Sequence, residues 1–257
     1  PRKGWAGAEI TLRSEAGGIF PLHVAVAFAG GATKPERLPV FCRPPGGVLA
    51  DVGAKAARLE NGQARVIIQK HGGGITVRTA VGDQSLGHLS ERLGPPFWPS
   101  EFQEKDFDIV VEQTPEGAVA TVQAASEAFP GLVFRRTLTL GGGPLVTLRS
   151  DLINRGDEAH ELQISRRLWP EARDRATVTV PLKVGTIRER VSEYPAAEED
   201  IPKKPEAFAE RWVATESHRG TLGVIWEEET AELGFSWGFE VLTPHITCRP
   251  MQWTSAG

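Results

Sequence analysis

Tyrosine and methionine are almost missing from this chain, with one of each in 257 residues beside seven Trp and eleven Phe. Cysteine is nearly as scarce. Cys42 and Cys248 lie far apart, so one long-range disulfide or two buried thiols would fit, and a disulfide scaffold is excluded. No CxxC, HxH or HExxH spacing occurs and the six His are scattered, which leaves no metal site in the pattern and no cofactor to expect. No run of about 18 apolar residues exists, so neither a transmembrane helix nor a membrane partner is expected, and the chain reads as soluble.

A strong charge of one sign is missing too. The formal net charge is -4 and no block of Lys or Arg tracks a face, which argues against nucleic acid or an anionic surface as a partner. The chain starts Pro1-Arg2-Lys3, without an initiator Met or a signal peptide. A fragment of a larger protein or a processed chain is therefore expected, with other domains of a longer parent as partners. The compartment stays open.

What is present is alternation. Apolar residues recur with period two, and the 3.6-residue period of a helix hardly occurs. Residues 8–13 and 22–28 alternate on either side of Gly and Pro punctuation and read as a hairpin-like pair. Residues 30–47 are rich in Gly and Pro and read as a linker or long loop. The expected organisation is a small β segment over 1–47 and a main domain over 48–257.

In the main domain, strands are expected over 64–69 and 75–79, then 107–112, 118–123, 133–140, 145–152 and 161–165. More follow at 177–180, 185–188, 211–214, 222–226, 233–237 and 246–248. His71-Gly72-Gly73-Gly74 would suit a phosphate cradle only if a helix followed; none does, so it reads as a tight β-turn. Residues 193–210 are acidic, Pro-rich and aperiodic, as in an exposed excursion. Short strands at regular spacing predict an all-β, antiparallel two-sheet sandwich with little helix.

Two stretches carry a family likeness. Leu59-Glu60-Asn61-Gly62 leads into Gly72-Gly73-Gly74-Ile75. Later, Pro130-Gly131 opens a strand ending Thr137-Leu138-Thr139-Leu140, and its partner closes on Asn154-Arg155-Gly156-Asp157. Over roughly 48–257 the chain resembles the galactose mutarotase-like (aldose 1-epimerase-type) β-supersandwich. The resemblance implies a large antiparallel supersandwich and carbohydrate as the partner. The same fold serves aldose epimerases and accessory domains of glycoside hydrolases, so fold alone does not choose between them.

Mutarotation needs a general acid for the ring oxygen and a general base for the anomeric hydroxyl. The resemblance implies a His soon after the Asn-turn hairpin, where this chain has Arg166, Arg167 and Trp169. It implies a Glu near the C-terminus, where this chain has Arg249. Arginine stays protonated and serves neither role. Glu240 is the alternative base, and His160 or His245 the alternative acid. The reading is a non-catalytic sugar-binding or accessory module. A divergent aldose epimerase or glycoside-processing enzyme, and a structural β module without ligand, are the alternatives.

Two groups of residues are candidates for a sugar. Residues 87–102 mix aromatic, acidic and His residues, with Trp98 as a stacking platform and His88, Glu101 and Asp106 as hydrogen-bonding groups; the plainer reading is a Pro-fixed loop plugging the sandwich edge. Arg166, Arg167 and Arg249 would converge to hold an acidic sugar through its carboxylate, against the plain alternation in which one Arg of the pair faces solvent. Glu227-Glu228-Glu229 reads as a solvated turn.

Overall fold

The computed structural model of the chain describes residues 18–27, 31, 33–42, 47–80, 82–94, 100–170, 176–190, 204–229, 231–238, 241–247 and 251–253. Helix is limited among them to two single 3-10 turns, Glu101–Gln103 and Pro205–Ala207. No described helix is long and apolar enough to cross a membrane.

In chain order the strands are β1 (Gly18–Ala27), β2 (Thr33–Cys42), β3 (Leu49–Val52), β4 (Ala56–Glu60), β5 (Ala64–Gln69), β6 (Ile75–Thr79) and β7 (Ser85–Gly94). Next come β8 (Asp108–Thr114), β9 (Gly117–Ala125), β10 (Leu132–Gly141), β11 (Val146–Asn154) and β12 (His160–Pro170). The last are β13 (Thr177–Leu182), β14 (Gly185–Arg190), β15 (Trp212–Ser217), β16 (Gly220–Ile225), β17 (Glu232–Gly238), β18 (Val241–Thr247) and β19 (Met251–Trp253).

β1 and β2 pair with each other. A nine-stranded sheet runs β17-β18-β12-β7-β6-β5-β4-β3, with β19 added to β12. Two four-stranded sheets, β11-β10-β9-β8 and β14-β13-β15-β16, complete the set. The architecture is an all-β antiparallel sandwich in which one layer is the nine-stranded sheet and the facing layer is divided in two.

Period two explains the division. On β10, Leu132, Phe134, Leu138 and Leu140 are fully buried, and they meet Leu59, Val66, Ile68 and Ile75 of the large sheet in one cluster. Val178, Val180 and Val213 of the other small sheet meet Leu233 and Ile246, with Phe208 and Trp226, in a second. Each such side chain contributes about 1.5–3 kcal/mol by leaving water. The register Arg166↔Ile246, Arg166↔Glu91 and Ile164↔Leu93 places both clusters on the same face of the large sheet. Its other face remains polar.

A charged cluster interrupts that apolar seam. Glu91, its side chain wholly buried, lies 2.8 Å from Arg136 Nε and accepts from Arg166 Nε at 2.7 Å and from the Ser150 hydroxyl at 2.7 Å. Arg166 Nη1 donates in turn to Glu228 at 2.8 Å. Arg136 belongs to a small sheet and Glu91 to the large one, so the pair ties the layers together. The Arg136 guanidinium lies between the rings of Phe134 and Phe107, at 4.6 and 4.8 Å from their centroids, and donates to the Gly73 carbonyl. Burial alone would push the Glu91 carboxyl up; Arg166, Arg136 and Ser150 outweigh it and hold the group below the ordinary range. Two cations and two carboxylates make the cluster neutral, which is what burial requires.

The glycine turn expected at 71–74 is present, and its neighbours explain the composition. Gly73 has φ +61°, and a Cβ there would press on Arg136 Nη1 and on the Phe107 ring. Gly74 lies under the imidazole of His88, too close for any side chain. Buried Asn61 adds a second tie, donating to the carbonyls of Gly141 and Gly143 at 2.7 and 2.6 Å.

Several expectations change. The stretch 30–47 is not a linker, because β2 occupies Thr33–Cys42 and is the hairpin partner of β1. Residues 8–13, the expected partner, lie outside the described residues, as does Cys248. Pro21 faces Pro39, and Pro35 faces Ala25 four residues on. The three prolines thus share one parity, and in a two-stranded ribbon every second N–H points away from the partner. Residues 87–94 are strand rather than loop. At the end of the expected excursion over 193–210, Phe208 is buried and pairs through Leu182↔Phe208.

Replacing Glu91 by Gln leaves two guanidiniums without their shared anion and should cost about 3–5 kcal/mol, read as a lower denaturation midpoint. A folded-state value below the ordinary 4.5 means that the unfolded chain takes up this proton first. The stabilisation is therefore complete above that value and lost as pH falls through the folded one, and the acid limb of stability should flatten in E91Q. Gly73→Ala should cost at least about 1–2 kcal/mol from the left-handed backbone alone, measurable by the same unfolding curves.

Candidate functional site

The polar face of the large sheet is where the sequence candidates can be placed. Three cross-strand rows are set by register. Thr76, His88 and Trp169 form the first. Ser90 and Arg167 form the second, with the backbone of His245 opposite Arg167. Arg92 and Ser165 form the third. Side chains directly opposite in an antiparallel pair project to the same side, and those two residues apart along a strand do so as well. His88, Ser90 and Arg92 of β7 therefore share this face with Ser165, Arg167 and Trp169 of β12.

The chemistry of the face changes along the sheet. Toward β4 and β5 its cations are matched: Arg65 Nε donates to Glu60 at 2.7 Å, Arg58 Nε to Glu60 at 2.9 Å, and Arg78 Nε to Asp83 at 2.8 Å. The β7 and β12 positions of these rows hold no carboxylate; the third row continues through Thr247 to Glu232 of β17, two strands beyond Ser165. Burial lowers the pKa of Arg167, and burial followed by the nearby charge of Arg167 lowers that of Arg92. Ser90 Oγ and Arg167 Nε are both buried, and neither finds a hydrogen-bond partner among the described residues. Those two residues are direct cross-strand partners, so two unmet donors stand side by side. His88 Nδ1 lies 3.3 Å from the Thr76 hydroxyl, which holds the ring across Gly74.

Of the sequence candidates, His88, Arg167 and Trp169 come together here. The others do not join them. Arg166 points to the opposite face and is held by Glu91 and Glu228, so it does not converge with Arg167: adjacent strand residues project to opposite sides. Glu228, half-exposed between exposed Glu227 and Glu229, is held by Arg166 at the edge of the buried network. Glu101 binds the 126–129 turn, accepting from Ser126 Oγ at 2.6 Å, and those hydrogen bonds offset burial to lower its pKa. Asp106 pairs with His71 at 3.0 Å on an exposed turn. His160 lies at the start of β12, on the order of 20 Å along the strand from Arg167, with its ring edge-on to Phe129 at 5.2 Å. Trp98, Glu240 and Arg249 lie outside the described residues.

Sequence reasoning missed Ser90 and Arg92 on this face, and Glu91 and Arg136 beneath it. The signal was available in His88-Leu89-Ser90-Glu91-Arg92-Leu93, which alternates cleanly once Glu91 is allowed to count as an inward residue.

No protein-family model matches the chain, and no curated protein does. Among solved structures, the chain is similar to a TPR-domain containing protein from Parabacteroides distasonis, with a TM-score of 0.56 at 12% identity over 90% of this chain and 50% of that one. It is also similar to the Slr1438 protein of Synechocystis, with a TM-score of 0.56 at 10% identity over 80% of this chain and 95% of that one. The chain thus spans about half the length of the first neighbour, and identities this low speak for the fold alone.

Proposed function

We propose that this chain is a non-catalytic sugar-binding module on a galactose mutarotase-like supersandwich, and that it holds an acidic sugar against the polar face of β7 and β12. In this reading the carboxylate accepts from Arg167 and from the Ser90 hydroxyl, and the Trp169 ring supplies the apolar platform for a sugar face. A guanidinium presents paired donors in a plane that matches a carboxylate. The observation that carries the reading is the Ser90–Arg167 pair: two buried donors, adjacent across strands, with no acceptor among the described residues.

Support for binding without turnover comes from what the rows contain. Mutarotation requires a proton donor and a proton acceptor on opposite sides of the ring. On β6, β7 and β12 the side chains of these rows are Thr76, His88, Ser90, Arg92, Ser165, Arg167 and Trp169. The single imidazole among them is that of His88, and its cross-strand partners are Thr76 and Trp169 rather than a carboxylate. Glu91, the nearest in sequence, faces the other way and is ionised within its cluster.

Titration of tryptophan emission with galacturonate, glucuronate and their neutral parents tests the proposal. The uronates should bind in preference, and Arg167→Met should weaken them by about tenfold or more, the loss of one charge-assisted hydrogen bond of about 1.5–3 kcal/mol. Arg149→Met, at an exposed pair with Asp151, serves as the control and should change nothing. Absence of any saccharide effect at millimolar concentration would remove the reading. Accelerated anomer exchange in a two-dimensional exchange spectrum would replace it by a divergent epimerase.

A further inference from the structure

The inner face of the same strands carries a second feature that the sugar reading does not use. Where the two small sheets meet over the large one, the packing leaves a cavity of about 250 Å³. Its floor is formed by Leu89, Leu168 and Ile246 of the large sheet. Leu148 closes it from one small sheet, Val224 and Trp226 from the other side. Two further lining residues, Leu145 and Ile225, are 65% and 71% exposed, among the most exposed large apolar side chains described. Leu145 follows the Gly141–Gly143 turn at the tip of the β10–β11 hairpin, and Ile225 ends β16.

One charged side chain reaches the cavity, that of Arg166. Its charge is already matched, with Nε on Glu91 and Nη1 on Glu228. An anionic group would therefore meet no uncommitted cation there, and would meet Glu91 and Glu228 close by. The lining suits hydrocarbon, and an uncharged one. An apolar cavity of about 150 Å³ stays dry and admits benzene, so a space of this size accepts a larger aliphatic group. Interiors normally close voids of this kind, because each lining atom without a neighbour forfeits dispersion contacts. A flat protein partner could cover Leu145 and Ile225 but could not fill a space walled by strands of three sheets.

We propose that this cavity is a binding site for an uncharged aliphatic group of a small molecule, entering between Leu145 and Ile225. The site is independent of the polar face, since Leu89 and Leu168 point inward where His88 and Trp169 point outward.

The test uses the whole chain and the neutral fluorophore N-phenyl-1-naphthylamine, with 1-octanol and octanoate as competitors. Saturable binding of one dye per chain is expected, displaced by 1-octanol in preference to octanoate. Val224→Trp, which fills the space, should weaken the dye by roughly tenfold or more while keeping or raising the melting temperature. Leu145→Lys, at an exposed position where folding is not at stake, should weaken it as well. The proposal is overturned by a wild-type chain that binds no dye or several, by octanoate competing better than 1-octanol, or by an affinity that neither variant changes. If Val224→Trp fails to fold, an unchanged affinity in Leu145→Lys overturns it alone.

Discussion

A carboxylate placed where a leucine would be expected organises this molecule. Glu91 sits on the inward face of β7, an interior strand of the large sheet, and binds Arg136 from the facing layer and Arg166 from the neighbouring strand. Removing three ions from water is costly, and replacing such a group by well-packed apolar residues is often neutral or better for stability. What a buried charge network does supply is register. A one-residue slip of β7 against β12 would send Glu91 outward and leave Arg136 in the core without an anion, whereas a slip in a purely aliphatic strand exchanges one Leu for another. The cluster sits where the two halves of the divided layer meet, which is the place where hydrophobic packing alone specifies the alignment least.

That placement separates the two faces chemically. Because Arg166 is consumed by Glu91 and Glu228, its sequence neighbour Arg167 is the one left for the outer face. The Gly72-Gly73-Gly74 turn belongs to both: Gly73 receives Arg136 from inside, and Gly74 lets the His88 ring lie flat from outside. A turn that looks in the sequence like simple punctuation is thus a thin wall between the buried cluster and the polar face.

The fold class was legible because it rests on a local rule. Most strands of the main domain were readable from period two and from turn residues, since Leu132, Phe134, Leu138 and Leu140 recur at every second place whatever they touch. Two of the errors share one cause, a residue whose side chain breaks the expected pattern for a reason that lies elsewhere in the fold. Proline 35 and 39 hid β2, though their parity places them where a ribbon tolerates them. Glu91 hid β7, because a charge at an inward position makes the stretch look aperiodic until its partners, 45 and 75 residues away along the chain, are known. The site was half legible for the same reason. His88, Arg167 and Trp169 could be named, but not Ser90, whose role depends wholly on standing opposite Arg167.

The distribution of carboxylates on the outer face is the strongest support for the proposed site. Arg58, Arg65 and Arg78 each have an acidic partner within hydrogen-bond distance, and such pairs on an exposed sheet contribute little beyond keeping the surface neutral. If Arg167 served only solubility, an acidic partner would be expected beside it as well, because a half-buried guanidinium without an anion raises the free energy of the folded chain. Instead the β7 and β12 positions around Arg167 carry hydroxyls, an imidazole and an indole besides the Arg92 guanidinium. None of these neutralises a cation, and each of them is a group that contacts sugars well. The proposed site therefore rests on one position of this face, the Arg167 guanidinium beside the Ser90 hydroxyl, where no acceptor is found among the described residues.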